Sequence, residues 1–223
     1  MPASTRSSKK QVSLEDVGAG RTENANPSSN KASSNKRKAS EDNASDSVTI
    51  NRAPVLELWA SCVTQFLYPS LSWSTCLSAG GAISTITAIA KGRSIGKIDK
   101  PDPEEAEKRK QARQDKAEKE ELDEIEPMSF KLSLDNEGHA MVGGKPKKPN
   151  EETLAKKYGE QYDSVKETFK DALKAWKSRE DDLNSQAFGM YEQFRPTVPP
   201  GQSGWGRKGQ LNLEAVKSAV SGD

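Results

Sequence analysis

The chain has 223 residues, a near-zero formal net charge of +1, a hydrophobic share of 32% and a charged share of 30%. It is poorer in apolar residues than the roughly 45–50% usual for globular chains, a figure that also counts Gly, so part of it is expected to stay outside any core. The charge balance gives no global field that marks a nucleic-acid or acidic-ligand binder. The two cysteines, Cys62 and Cys76, sit among apolar residues and read as buried thiols better than as a disulfide framework.

Residues 1–51 contain almost no apolar side chains, so they hold no secretory h-region. Ser, Asn, Ala, Lys and Glu dominate this stretch, and such a composition buries too little surface to offset the entropy of ordering. Residues 1–47 are therefore expected to be a disordered tail. Within it, Lys36, Arg37 and Lys38 form a basic triplet of the kind a nuclear-import receptor reads, with a solvated charge cluster as the plainer alternative. Ser40 and Ser45 precede acidic residues and fit loose kinase-site patterns; phosphate on Ser40 would oppose the neighbouring positive charge.

Folded sequence is expected from Val48. Asn51 and Pro54 mark a helix start, and Val55, Leu58, Trp59, Cys62, Val63, Phe66 and Leu67 recur at helical spacing after it. Ser72 can cap a second helix whose stripe is Trp73, Cys76, Leu77, Gly80, Ile83, Ile86 and Ala90, with Gly92 as its expected stop. The small residues Ala79, Gly80, Gly81 and Ala82 would let another helix come close. No charged residue lies between Leu58 and Ala90, yet Pro69 splits the run and neither half supplies the ~20 apolar residues of a membrane span. Two readings of the pair remain. One is a helix-turn-helix with an exposed face of Ser78, Ser84, Thr85 and Thr87 and phosphate contacts from Lys91, Arg93 and Lys97. It lacks Arg, Lys, Asn or Gln on the helix itself to read base edges. The other is a buried helical hairpin that supplies half of a core.

From Pro101 to Pro127 the chain is nearly all Glu, Lys, Arg, Asp, Gln and Ala, without an apolar stripe. It reads as a solvated helix or an extended linker, with Glu104/Lys108 and Glu105/Arg109 at favourable i,i+4 spacing. Alternation over Met128, Phe130, Leu132 and Leu134 predicts a strand, Asp135 to Gly138 a turn, and Met141-Val142 a returning strand. His139, the chain's one histidine, lies beside that turn and reads as a surface residue. Lys145, Lys147 and Lys148 make a further local basic patch. Three helical stretches follow: Glu151–Tyr158 capped by Asn150, about Asp163 to Trp176, and a third carrying Leu183, Ala187, Met190, Tyr191 and Phe194 that Arg195-Pro196 stops. The glycine-rich loop around Trp205 leads into a short last helix capped by Asn212.

The segments Asn51-Arg52-Ala53-Pro54-Val55-Leu56 with Leu58-Trp59, Lys91-Gly92-Arg93-Ser94-Ile95-Gly96, Tyr191 to Pro196 and Gly204-Trp205-Gly206-Arg207-Lys208-Gly209 resemble an uncharacterised family found in fungi and bacteria. The resemblance covers residues 48–98 and 130–220. It implies an architecture, a single domain made by both halves around a charged insertion, and no chemistry.

The expected fold class is mainly α: a helical domain with one small β-hairpin, a long disordered N-terminal tail and a charged helical or extended linker. The expected organisation is a tail over 1–47, a helical hairpin over 48–98, an insertion over 99–127, and a final part over 128–223 that packs with 48–98. The motif search finds no H-E-x-x-H, no paired C-x-x-C and no G-x-G-x-x-G before a helix, so no enzyme, cofactor or metal site is expected. The expected function is a nuclear, non-enzymatic binding module that contacts nucleic acid or chromatin through Lys91, Arg93, Lys97, Arg207 and Lys208. The alternative is a protein-interaction adaptor, nuclear or cytoplasmic, that uses Phe194, Arg195 and Trp205.

Overall fold

A computed structural model of the chain describes residues 47–120, 122–198 and 206–221, with the backbone alone at 113, 114 and 116–120. The tail expected over 1–47 therefore falls, apart from Ser47, outside the described residues, as do Lys36, Arg37, Lys38, Ser40, Ser45 and Trp205.

The expected first helix runs from Arg52 to Leu67 (α1) and is buried all round instead of along one stripe. Pro54, Leu56, Ala60, Ser61 and Thr64 are as sheltered as the periodic set Val55, Leu58, Trp59, Cys62 and Val63. Two polar side chains tolerate this because each hydroxyl bonds back to a carbonyl one turn earlier, Ser61 to Glu57 at 2.7 Å and Thr64 to Ala60 at 2.7 Å. The helix Trp73–Ser94 (α2) returns against α1, and Ser72 Oγ caps it by accepting the Thr75 amide at 3.1 Å. The two helices meet most closely at Gly80. A methyl group there would overlap Ser61 Oγ and the Glu57 carbonyl, so the small-residue run is what sets the spacing of the hairpin. Gly92 does not stop α2. The helix continues to Ser94 and ends where Gly96 N donates to the Arg93 carbonyl and Lys97 N to the Gly92 carbonyl.

The face that a helix-turn-helix would present to DNA is not exposed in full. Ser78 and Ser84 are buried: Ser78 Oγ donates to the Lys147 carbonyl and accepts the Ala140 amide, and Ser84 Oγ donates to the Ala53 carbonyl. Among the described residues no helix is long and apolar enough to cross a membrane.

The charged segment forms one helix, Pro103–Glu120 (α3), whose first amides are capped by Asp102 Oδ1. The expected Glu105–Arg109 pair is made at 2.9 Å on an exposed face. The next stretch departs from the expected hairpin. Met128 and Ser129 take positive φ values of 55° and 61° after Pro127, which breaks the strand before it begins. Leu132–Ser133 (β3) instead pairs backwards with Glu124–Ile125 (β2), while Met141–Val142 (β4) pairs with Lys145–Pro146 (β5) around Gly143-Gly144. Across the expected turn itself there is no ladder, just an isolated bridge between Leu134 and Ala140 and the Asp135 amide on the His139 carbonyl at 2.9 Å.

Glu151–Tyr158 (α4), Tyr162–Leu173 (α5) and Glu180–Phe194 (α6) follow, α4 capped by Asn150 Oδ1 on the Thr153 amide. The last helix, Leu213–Ser221 (α7), is capped by Asn212 Oδ1 as its sequence predicts. The strand before it, Lys208–Asn212 (β6), was not foreseen. It pairs antiparallel with Ser47–Asn51 (β1), from Ser47 opposite Asn212 to Asn51 opposite Lys208. The described residues thus form a mainly helical unit with three small antiparallel pairings where one was expected.

The core is one cluster that draws on α1, α2, the 125–140 segment and every later helix. Trp59 is its centre, with no exposed surface. Its indole N–H donates to the Ala187 carbonyl at 2.9 Å, and its ring meets Phe169 and Phe194 edge-on at 5.4 and 5.3 Å. Trp59→Ala should therefore cost about 3–5 kcal/mol of unfolding free energy, the range for deleting a buried aromatic ring. Urea unfolding of the two proteins measures it, and a loss below ~1 kcal/mol would place Trp59 outside the core.

Candidate functional site

Three of the four segments that carry the resemblance, all but Lys91 to Gly96, come together at the start of α1. Arg52 Nε donates to the Pro196 carbonyl at 3.1 Å, Tyr191 Oη to the Arg52 carbonyl at 3.2 Å, and Asn51 Nδ2 to the Gly206 carbonyl at 3.2 Å. Thr197 extends the β1–β6 ladder through two bonds with Gln210, at 3.1 and 3.2 Å. Gly209 lies where that strand crosses the Pro196-Thr197 backbone; a Cβ there would stand 2.5 Å from the Thr197 carbonyl oxygen. These contacts are backbone closure and side-chain propping, so the corner reads as a clasp that shuts the domain. Phe194, expected on an interaction surface, is buried in the core against Trp59, because its position on α6 faces α1. Arg195 is half-buried and paired with Glu192 at 2.5 Å.

The expected basic residues do not form one group. Lys91, Arg93 and Lys97 are exposed at the C-terminal end of α2, beside Ile95 and Ile98, the large apolar side chains exposed among the described residues. Arg207 and Lys208 are exposed at the clasp. The two sets lie toward the same end of the hairpin, since Ser84 touches Ala53 near the start of α1. Arg93 lies nine residues further along α2, about 13 Å of helix rise away.

Arg93 instead shares a groove of about 910 Å³ with Arg109 of α3 and Lys131. Ile86, Ile89, Leu122 and Val142 give the groove its apolar floor, and its described lining contains no carboxylate. Arg109 is already bonded to Glu105, but both are well exposed, and such a pair contributes little. Sequence reasoning missed Arg109, Lys131 and Ile89. The one available signal was Ile86 and Ile89 continuing the apolar pattern of α2 beyond the part that α1 covers.

A polar cluster holds α4 to the start of α2. Glu151 Oε1 accepts from the Trp73 indole at 2.8 Å, Tyr162 Oη at 2.8 Å and Lys166 Nζ at 3.0 Å, and Lys166 also stands 4.2 Å from the Trp73 ring centre. Burial works against the Glu151 charge, yet these three donors and the Lys166 charge together hold its carboxyl below the usual range. The thiols are quiet: burial pushes Cys62 up to about 12 and Cys76 up to about 11, so neither supplies thiolate near neutral pH. His139 has its Nδ1 turned towards Asp135 and Glu137 in the turn before β4, a grouping of the kind that can hold a metal ion.

The fold and its groove define a helical scaffold organised around a buried first helix. No family model matches this chain, and no curated protein or solved structure matches it.

Two predictions follow from the clasp and the polar cluster. Gly209→Ala should lower stability by about 1–3 kcal/mol, as overpacking against fixed backbone does, read as a drop in thermal midpoint. Glu151 has a folded pKa below its ordinary 4.5, so its contribution is present above that value and lost as pH falls through the folded value. Glu151→Gln should therefore destabilise the protein at pH 7, and the gap to the parent should narrow as the buffer is acidified from 4.5 downwards through the folded value. A gap that stays constant with pH in urea titrations would mean the carboxylate charge contributes nothing.

Proposed function

We propose that this chain is a non-enzymatic binding module and that the groove beside the distal half of α2 receives an acidic, amphipathic peptide segment of a partner protein. The observation that carries this reading is the pairing of an apolar floor, Ile86, Ile89, Leu122 and Val142, with a rim of Arg93, Arg109 and Lys131. An amphipathic helix laid into such a groove buries its apolar side chains on the floor and sets carboxylates against the rim. Phosphate recognition alone has no use for the floor. The exposed Ile95 and Ile98 next to Lys97 extend the same mixed chemistry beyond the groove.

A second reading, contact with nucleic acid, is favoured by Lys91, Arg93 and Lys97 standing exposed within two turns of one helix end. The two readings separate in one experiment. Fluorescence anisotropy is measured with a labelled amphipathic peptide rich in Leu and Glu, and with a labelled DNA duplex, at rising salt. Ile89→Ser and the pair Arg93→Glu with Lys131→Glu should each weaken peptide binding by about tenfold or more, since a lost anchor or a reversed contact is worth at least ~1.4 kcal/mol. DNA binding that falls steeply with salt, depends on Lys91, Arg93 and Lys97 and ignores Ile89→Ser would replace the peptide reading with the nucleic-acid one.

A further inference from the structure

We propose that the turn from Asp135 to His139 is a binding site for a divalent first-row transition-metal ion, zinc in the first place, with Asp135 Oδ2, Glu137 Oε2 and His139 Nδ1 as its protein ligands. This is independent of the groove and its partner.

The argument starts from the imidazole. Nδ1 of His139 is shielded from solvent and has no hydrogen-bond partner among the described residues. It nevertheless lies 3.4 Å from Asp135 Oδ2 and 3.3 Å from Glu137 Oε2. A lone pair on that nitrogen would face two anions, and a proton on it would find neither oxygen in line for a hydrogen bond. A cation seated among the three atoms answers both difficulties, because it attracts the nitrogen lone pair and both carboxylates at once.

The spacing suits such an ion. The three ligand atoms lie within 4.8 Å of one another. Two donors 3.3–3.4 Å apart, each at a zinc bond length of about 2.1 Å, subtend an angle of about 105° at the metal, near the tetrahedral value. Glu137 is exposed, so its side chain can swing to close the remaining distance. One imidazole nitrogen and two carboxylate oxygens form the borderline donor set that zinc and its neighbours accept, whereas calcium and magnesium favour oxygen alone. Two carboxylates also neutralise the dication, and three protein ligands leave a coordination position for water.

The turn is built before any ion arrives. Asp135 spends its other oxygen, Oδ1, on the backbone amides of Glu137 at 3.0 Å and His139 at 2.8 Å, which leaves Oδ2 directed at the imidazole. Asp135 N donates to the His139 carbonyl at 2.9 Å, Gly138 N donates to the Asp135 carbonyl at 2.8 Å, and Ser78 of α2 holds the next residue through the Ala140 amide at 2.7 Å. The ligands are therefore presented by a turn pinned to the central hairpin, which lowers the ordering cost of binding.

The test uses the full chain, stripped of metal, with ZnCl2 titrated by calorimetry and CoCl2 followed by its visible ligand-field bands. The chain has one histidine, so the imidazole resonances in NMR report on this site alone. The expected result is one ion per chain, a tetrahedral cobalt spectrum, shifted His139 resonances, and affinity reduced about tenfold or more by His139→Asn and by Glu137→Gln. Asp135 is left intact because it also holds the turn. Should His139→Asn lose its circular-dichroism signature, Glu137→Gln decides, since the Glu137 side chain is exposed and meets only His139 among the described contacts. Zinc affinity that is unchanged in Glu137→Gln, or His139 resonances that do not move on adding zinc, would overturn the site.

Discussion

From Leu58 to Ala90 the chain carries no charge, and most of that run has to be kept from water. A two-helix hairpin cannot do this alone, because each helix shelters only the face turned to the other. Much of the remaining surface of α1 is covered by residues that follow it by a hundred positions or more: Phe169 and Phe194 against Trp59, Tyr158 Oη on the Pro54 carbonyl, and the Ala187 carbonyl on the Trp59 indole, 128 residues away in sequence. The rest of the architecture is the consequence. Helices α5 and α6 sit where the buried helix needs them, α7 is tied to the same group by the Trp176 indole N–H on the Val220 carbonyl, and β6 returns to the strand that leads into α1.

Helices were legible in the sequence wherever their burial is one-sided. The stripes of α5 and α6 and the caps at Ser72, Asn150 and Asn212 appear where local spacing and capping chemistry put them. Legibility failed in three physical situations. A helix buried all round shows no more in its periodicity than one buried along a stripe, so the shelter of Leu56, Ala60 and Ser61 was invisible. Short strands paired across the whole domain leave no local trace; Thr49 and Gln210 are 161 residues apart. The alternation from Met128 to Leu134 was real but was defeated by two positive-φ residues after Pro127. The groove was illegible for a fourth reason: Arg93, Arg109 and Lys131 belong to three segments whose approach depends on tertiary packing.

The residues most distinctive in the sequence and those that form the groove share Arg93 and otherwise differ. Asn51, Arg52, Tyr191, Pro196 and Gly209 are tied into one corner by backbone carbonyls, and that corner explains why such residue types stand at those positions without invoking a ligand. Such a clasp makes a rigid support, and on it the distal part of α2 projects past the cover of α1, where exposed apolar and cationic side chains remain together. A motif-led search is drawn to the support and reaches the groove through Arg93 alone.

The antiparallel pairing of β1 with β6 has a consequence for how the protein is made. A ribosome delivers α1 and α2, the most apolar part of the molecule, while α5, α6 and β6 are still untranslated. The contacts that seal Trp59 span well over a hundred residues, and closing them waits for nearly the whole chain to emerge. During that interval, of the order of ten seconds at usual elongation rates, the hairpin is naked and adhesive. Until those segments arrive, the apolar surface that the finished fold seals has nothing of its own chain to cover it, and contacts this distant in sequence are the slow ones to form.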